Sequence, residues 1–241
     1  MNKLAIALSL FVSPLMLFAD DTPAQRLADS AQVFREIMAT PDKGIPQELL
    51  ETAHCVVIVP GMKQAGFVVG AKYGRGFVVC RAPKSGWEAP EAIRIEGGSL
   101  GFQIGASSTD VVMLVMNERG MRRLQEDKFT LGAEASVAAG PVGRKTTAET
   151  DVQLSAEILS WSRSKGLFAG VALTGATLRP DNDVNKELYG RKLTAKEILT
   201  GGVHPPAAAK PLVSELSHYS FREEKSEPLE TRAAGGPPKK K

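Results

Sequence analysis

The sequence predicts an α+β fold: a curved antiparallel sheet or barrel-like β core with an N-terminal helix and short flanking helices. Three observations carry this. Short β-branched runs succeed one another from Cys55 to Thr174. The chain's 23 glycines fall largely within and between those runs, where a sheet must bend or backbones must approach closely. Helical spacing is confined to Thr22–Thr40 and to brief pieces after Asn117 and Thr194.

Taken in order, the chain opens with a signal-peptide pattern over residues 1–19. Lys3 is the positive start, Leu4–Phe18 the apolar stretch, and Ala19 the expected last residue before cleavage. The stretch is shorter than the roughly 20 residues of a membrane span, which favours a cleaved signal over an uncleaved anchor. Thr22 is a natural N-cap and Pro23 suits the first helical position. Leu27, Ala31, Phe34 and Met38 then recur at helical spacing, with Ile37 alongside. Arg26, Asp29, Arg35 and Glu36 make the polar face mixed in charge, so the helix reads as packed on the domain rather than lying in a membrane interface.

CVVIVP reads as a strand ended by Pro60-Gly61, and GFVVGAKYGRGFVVCRA as two strands turning at Tyr73–Gly76. AIRIEGG, SLGFQIGA and TDVVMLVMN continue as strands. Asn117 caps a short helix, more glycine-broken segments follow to Thr174, and Thr194–Glu197 opens a last helix stopped by Gly201-Gly202. Residues 20–202 form one expected domain. Residues 203–241 hold six of the 15 prolines and read as a charged, mostly disordered tail. Its one apolar piece, Leu212–Phe221, either docks on the domain or serves as a recognition element.

The net charge is +3, but one positive charge is Lys3 and two more are the surplus of 203–241, so 20–202 is neutral. A neutral domain has no overall field to attract nucleic acid, and nucleic acid is not an expected partner. Cys55 and Cys80 lie at the start and end of strand-like runs. They are either a disulfide, as export would permit, or two buried thiols.

No constellation points to catalysis. GGSLGFQIGAS lacks the Gly-Lys-Ser/Thr of a phosphate loop and the dinucleotide spacing, so its glycines read as structural. Ser107, Ser108, Thr109 and Asp110 form a polar cluster without a nearby histidine base, and read as a turn with Asp110 accepting backbone N–H groups. Asp181-Asn182-Asp183 begins like a calcium loop but has Lys186 and Lys192 where glycine and glutamate are needed, so it reads as a loop. Three histidines and two cysteines give no metal-ligand spacing; no cofactor is expected. Three pairs of loop cations, Lys72 with Arg75, Arg144 with Lys145 and Arg163 with Lys165, are candidates to receive a phosphate headgroup on one rim. Solvated loop charge is the alternative.

GGSLGFQIGASSTDVVMLVMNERG, FTLGAEASVAAGPVGR and SRSKGLFAGVALTGA, in that order and spacing, resemble the SYLF-domain family of lipid-binding proteins. The resemblance runs from about Cys55 to Gly201. It implies lipid binding, notably of phosphoinositides in eukaryotic members, and actin binding in some fungal ones. With the export pattern, the chain is expected to be a bacterial, periplasmic or extracellular member. It would be non-enzymatic, peripheral to a phospholipid membrane, and without actin as a partner. The alternative is a periplasmic protein-interaction module acting through the tail on an envelope protein.

Overall fold

Thr22 caps the first helix as its sequence predicts: its hydroxyl accepts the Gln25 N–H at 3.2 Å, and α1 runs Pro23–Met38. Leu27, Ala31, Phe34 and Ile37 form its buried stripe. The computed structural model describes residues 21–40, 44–82, 86–141, 155–164, 167–170 and 173–220, with backbone alone over 66–69, 99–106 and parts of 164–170. The expected signal peptide and residues 221–241 lie outside this range. Among the described residues no helix is long and apolar enough to cross a membrane.

After α2 (Gln47–Thr52) come β1 (Cys55–Ala82), β2 (Gly86–Trp87) and β3 (Glu91–Val115). β1 and β3 pair antiparallel along nearly their whole lengths, from Cys55↔Val115 to Val78↔Glu91. This corrects the expected string of short strands. Tyr73–Gly76 is not a hairpin turn but strand interior, paired with Ile93–Glu96. Pro60-Gly61 does not end a strand either; it makes a bulge, with Gly61 at φ 55° and the register shifting between Val59 and Met62. A second shift falls between Gly66 and Val68. Bulges bend and twist a ribbon without breaking it.

The ribbon curls until the two ends of β1 meet. The Arg81 N–H donates to His54 O at 2.8 Å, and Cys55 and Cys80 form a disulfide across 4.0 Å between Cα atoms. A Cβ on Gly76 would lie 2.0 Å from Ile58 O. Glycine is needed there because one stretch of strand crosses another, not because the chain turns.

The other elements fill out an open half-barrel around this ribbon. They are α3 (Glu118–Leu124), β4 (Phe129–Thr130), β5 (Val137–Ala139), β6 (Ile158–Ser164), β7 (Leu167–Gly170) and β8 (Thr177–Pro180). β3 is central: β6 pairs with its C-terminal end and β8 with its N-terminal end, both antiparallel. β6 and β7 pair antiparallel, from Trp161↔Gly170 to Ser164↔Leu167, and β5 is a parallel edge strand on β6.

Alternation along the ribbon serves two cores. Val56, Ile58, Phe77, Val79, Val112 and Leu114 face a helical layer built on α1. Cys55, Val57, Val59, Val78, Cys80, Val111 and Met113 face the inside of the curl. Burial on both faces explains why CVVIV and FVVC read as unbroken apolar runs.

α4 (Asn182–Tyr189) begins within Asp181–Asp183, a stretch expected to be a loop, and α5 (Ala195–Leu199) has the predicted capping box from Thr194 and Glu197. A 3₁₀ turn (Ala207–Ala209) leads into α6 (Lys210–Tyr219). α6 packs on α1, with Leu212 and Leu216 fully buried. The first part of the expected tail is therefore ordered structure, because its few apolar residues complete the stripe α1 presents. At the end of α6, the Trp87 indole N–H donates to Ser220 Oγ at 2.7 Å, and the Arg81 guanidinium, 4.3 Å over the Trp87 ring, bonds Ser220 O and Leu50 O.

Candidate binding site

Of the six cations singled out, Lys72, Arg75 and Arg163 are described; Arg144, Lys145 and Lys165 lie outside the described residues. Lys72 and Arg75 are three residues apart in an unbroken stretch of β1, so they lie on opposite faces. Arg75 sits opposite Arg94 on β3, and both reach the buried Asp181 carboxylate, at 3.4 and 4.0 Å. The Arg75 guanidinium also lies 6.0 Å from the ring centre of Tyr73, the large hydrophobic side chain exposed among the described residues.

Arg163 lies opposite Asp110 across β6 and β3 and donates to it at 2.8 and 2.6 Å. It also pairs with Glu36 of α1. Asp110 accepts the Gly61 N–H at 2.8 Å, which pins the bulge in β1. It thus takes a backbone N–H as expected, but from within a strand rather than at a turn. Burial raises its pKa above the ordinary value, the Gly61 bond opposes this, and the charge of Asp29 adds to the rise. Burial in turn lowers the pKa of Arg163. Arg75 and Arg163 are therefore both matched by carboxylates that hold elements together, at positions sixteen residues apart along β3.

Sequence reasoning missed a cavity of about 540 Å³ between α4 and α5. Asn182, Asp183 and Lys186 line it from α4, Lys192, Leu193 and Thr194 from the connection, and Glu197 from α5. Glu197 is engaged: it accepts the N–H and hydroxyl of Thr194, each at 2.8 Å. These bonds lower its pKa, the backbone bond most. Lys186 and Lys192 are exposed and make no ion pair among the described residues. The lining sets the Lys186 and Lys192 ammonium groups beside the Asp183 and Glu197 carboxylates and the polar side chains of Asn182 and Thr194, so the lysines can meet an anionic group while the rest can bond hydroxyls. The only hint in the sequence was the pair of lysines that spoiled the calcium-loop pattern.

The described residues assemble neither a nucleophile with its base nor a metal site. Ser108 and Asp110 share a face of β3, but Asp110 is occupied by Gly61 and Arg163. No group of three or more His, Cys, Asp or Glu side chains is placed to hold a metal among the described residues.

Fold and site together define an α+β domain built on one curled antiparallel ribbon. A family model described as "Las17-binding protein actin regulator" matches residues 96–219, and the chain belongs to this Ysc84 family, the SYLF family of the sequence resemblance. It is 36% identical over 186 residues to SH3 domain-containing YSC84-like protein 1 of Xenopus laevis, covering 76% of this chain and 55% of that one. It is 35% identical over 204 residues to the protein of the same name from Homo sapiens, covering 83% and 59%. LAS seventeen-binding protein 3 of Saccharomyces cerevisiae is 35% identical over 183 residues, covering 75% and 40%. The chain thus spans about half the length of the curated relatives it matches. These relatives are named for what they bind or contain, not for a reaction. No solved structure matches.

Proposed function

We propose that this chain is a non-enzymatic binding protein whose ligand is the anionic headgroup of a phospholipid surface, and that it acts outside the cytoplasm. The observation that supports the ligand is the cavity between α4 and α5, where Lys186 and Lys192 make no ion pair among the described residues while Arg75 and Arg163 are neutralised inside the fold. Arg144, Lys145 and Lys165 remain candidates to extend that surface. The Cys55–Cys80 disulfide supports the location, since such bonds persist in oxidising compartments and are rare in the cytosol. In such a compartment actin is not a partner.

Flotation with phosphatidylcholine vesicles, with and without phosphatidylglycerol, tests the reading. Binding should require the anionic lipid, weaken as salt is raised, and fall in the Lys186→Glu/Lys192→Glu variant. Unchanged binding by that variant would remove the cavity from the site. No binding to either vesicle would overturn the lipid reading.

A second reading, a module that binds another protein, is favoured by the names of the relatives, which include LAS seventeen-binding protein 3. Its test is deletion of residues 221–241. The deletion must begin there and not at 203, because α6 is part of the helical core.

A further inference from the structure

Glu91, the first residue of β3, is completely buried, and neither of its carboxylate oxygens has a hydrogen-bond partner among the described residues. Native proteins rarely leave such a group without a reason. The backbone on either side is gripped by α4. Asn185 donates its amide to Ala92 O at 3.1 Å and accepts the Ala92 N–H at 2.7 Å. The Tyr189 hydroxyl donates to Pro90 O at 2.6 Å. Asn185 therefore acts as one more rung of strand pairing, and α4 closes over the residue that carries the buried acid.

We propose that Glu91 makes this grip an acid-tightened latch: protonated, it lets α4 close on the start of β3; ionised, it places an uncompensated charge in the closed joint and favours opening.

Among the described residues, nothing pairs with that charge. β1 presents Val78 directly across, and Cys80 beyond it is tied in the disulfide. α5, packed on β1 and β3, buries Ile198 and Leu199 and keeps Lys196 and Glu197 exposed. α4 presents Tyr189, whose own ionisation is pushed up by burial and then by the Glu91 charge. Glu88, three residues earlier, is a second buried carboxylate with interactions of its own. The cations Arg75 and Arg94 lie on the other face of the ribbon, against Asp181.

Burial pushes the Glu91 carboxyl from 4.5 up to about 8. An opened latch exposes it to water, where it titrates near the ordinary value. Between those two values the closed state holds a proton that the open state has lost, so opening becomes about tenfold easier per pH unit. Below this window, and again above it, the dependence vanishes. Because α4 supplies Asn182, Asp183 and Lys186 to the cavity, the latch also sets the pH range over which the cavity keeps its shape. The latch itself does not depend on what the cavity binds.

Amide hydrogen exchange of the full chain from pH 5 to 9, corrected for intrinsic rates, tests it. The Ala92 and α4 amides should lose protection about tenfold per unit up to pH 8 and stay less protected than the amides of α1 throughout. Glu91→Gln, which cannot ionise, should abolish that slope. Tyr189→Phe should lower protection equally at every pH and keep the slope. Level protection of α4 in the natural chain, or an unchanged slope in Glu91→Gln, would overturn the proposal. If Glu91→Gln does not fold, a carbon-detected NMR titration of Glu91 decides: a midpoint below pH 6 would overturn the latch.

Discussion

The Cys55–Cys80 disulfide joins the two ends of a single strand, so removing it should act mainly on the denatured chain. In the folded protein those ends are also held by the Arg81-to-His54 hydrogen bond and by packing on both faces. The curl should therefore survive without the bridge. The denatured chain, in contrast, gains the freedom of a loop whose ends are 25 residues apart. The chain-entropy relation puts that gain at about 3.5 kcal/mol at 25 °C. With a urea slope of roughly 2.5 kcal/mol/M for a domain of this size, the unfolding midpoint should fall by about 1.4 M. The assay is equilibrium urea unfolding of oxidised protein against protein reduced while unfolded and refolded with its thiols retained. This comparison keeps both sulfur atoms in the core. The slope itself should rise slightly, because the reduced chain exposes more surface when it unfolds. A midpoint shift of only a few tenths molar would refute the reasoning, because it would show that the denatured chain holds residues 55 and 80 together without the bond.

Gly76→Ala would put a methyl group 2.0 Å from Ile58 O, where one stretch of β1 crosses another. A loss of about 3 kcal/mol in urea unfolding is expected, and a loss under ~0.5 kcal/mol would mean the crossing is looser than described. Asn185→Ala leaves the Ala92 N–H without its side-chain acceptor and should cost about 2–3 kcal/mol, with α4 amides losing protection before those of α1. Glu91 has a folded pKa raised above its unfolded value, so its contribution to stability is fully present below about pH 4.5 and is lost as pH rises towards 8. Global stability should fall by on the order of 4 kcal/mol across that window in the natural chain and stay nearly level in Glu91→Gln, as read by unfolding midpoints at each pH.

Legibility from the sequence tracked how local the chemistry is. The caps at Thr22, Asn117 and Thr194 were readable because a cap needs only a side chain and the next three residues. The apolar runs of β1 and β3 were readable too, but their continuity was not. Glycine marks both a chain that turns and a chain that is crossed, and Gly74 and Gly76 belong to the second kind. Arg75 and Arg163 were visible as cations. Their partners Asp181, Glu36 and Asp110 lie far away in sequence, and no local pattern joins them. Glu91 sat unremarked in a short polar stretch between apolar residues. Its isolation depends on α4 closing over it, a helix whose start, Asp181–Asp183, read as a loop because it resembled a broken calcium site.

The pairing of α1 with α6 sets the order of events in folding. Arg35 and Glu215, 180 positions apart, meet at 2.8 Å, and the apolar stripe of α1 is covered by Leu212 and Leu216. α1, synthesised early, thus waits for α6. Until residue 220 is available, Leu27, Phe34 and Ile37 have no complete shelter, and the incomplete chain presents a sticky helix to chaperones and to other copies of itself. So distant a closure places this domain among slow folders, and completion of the helical layer becomes the checkpoint at which the newly made chain ceases to be prone to aggregation.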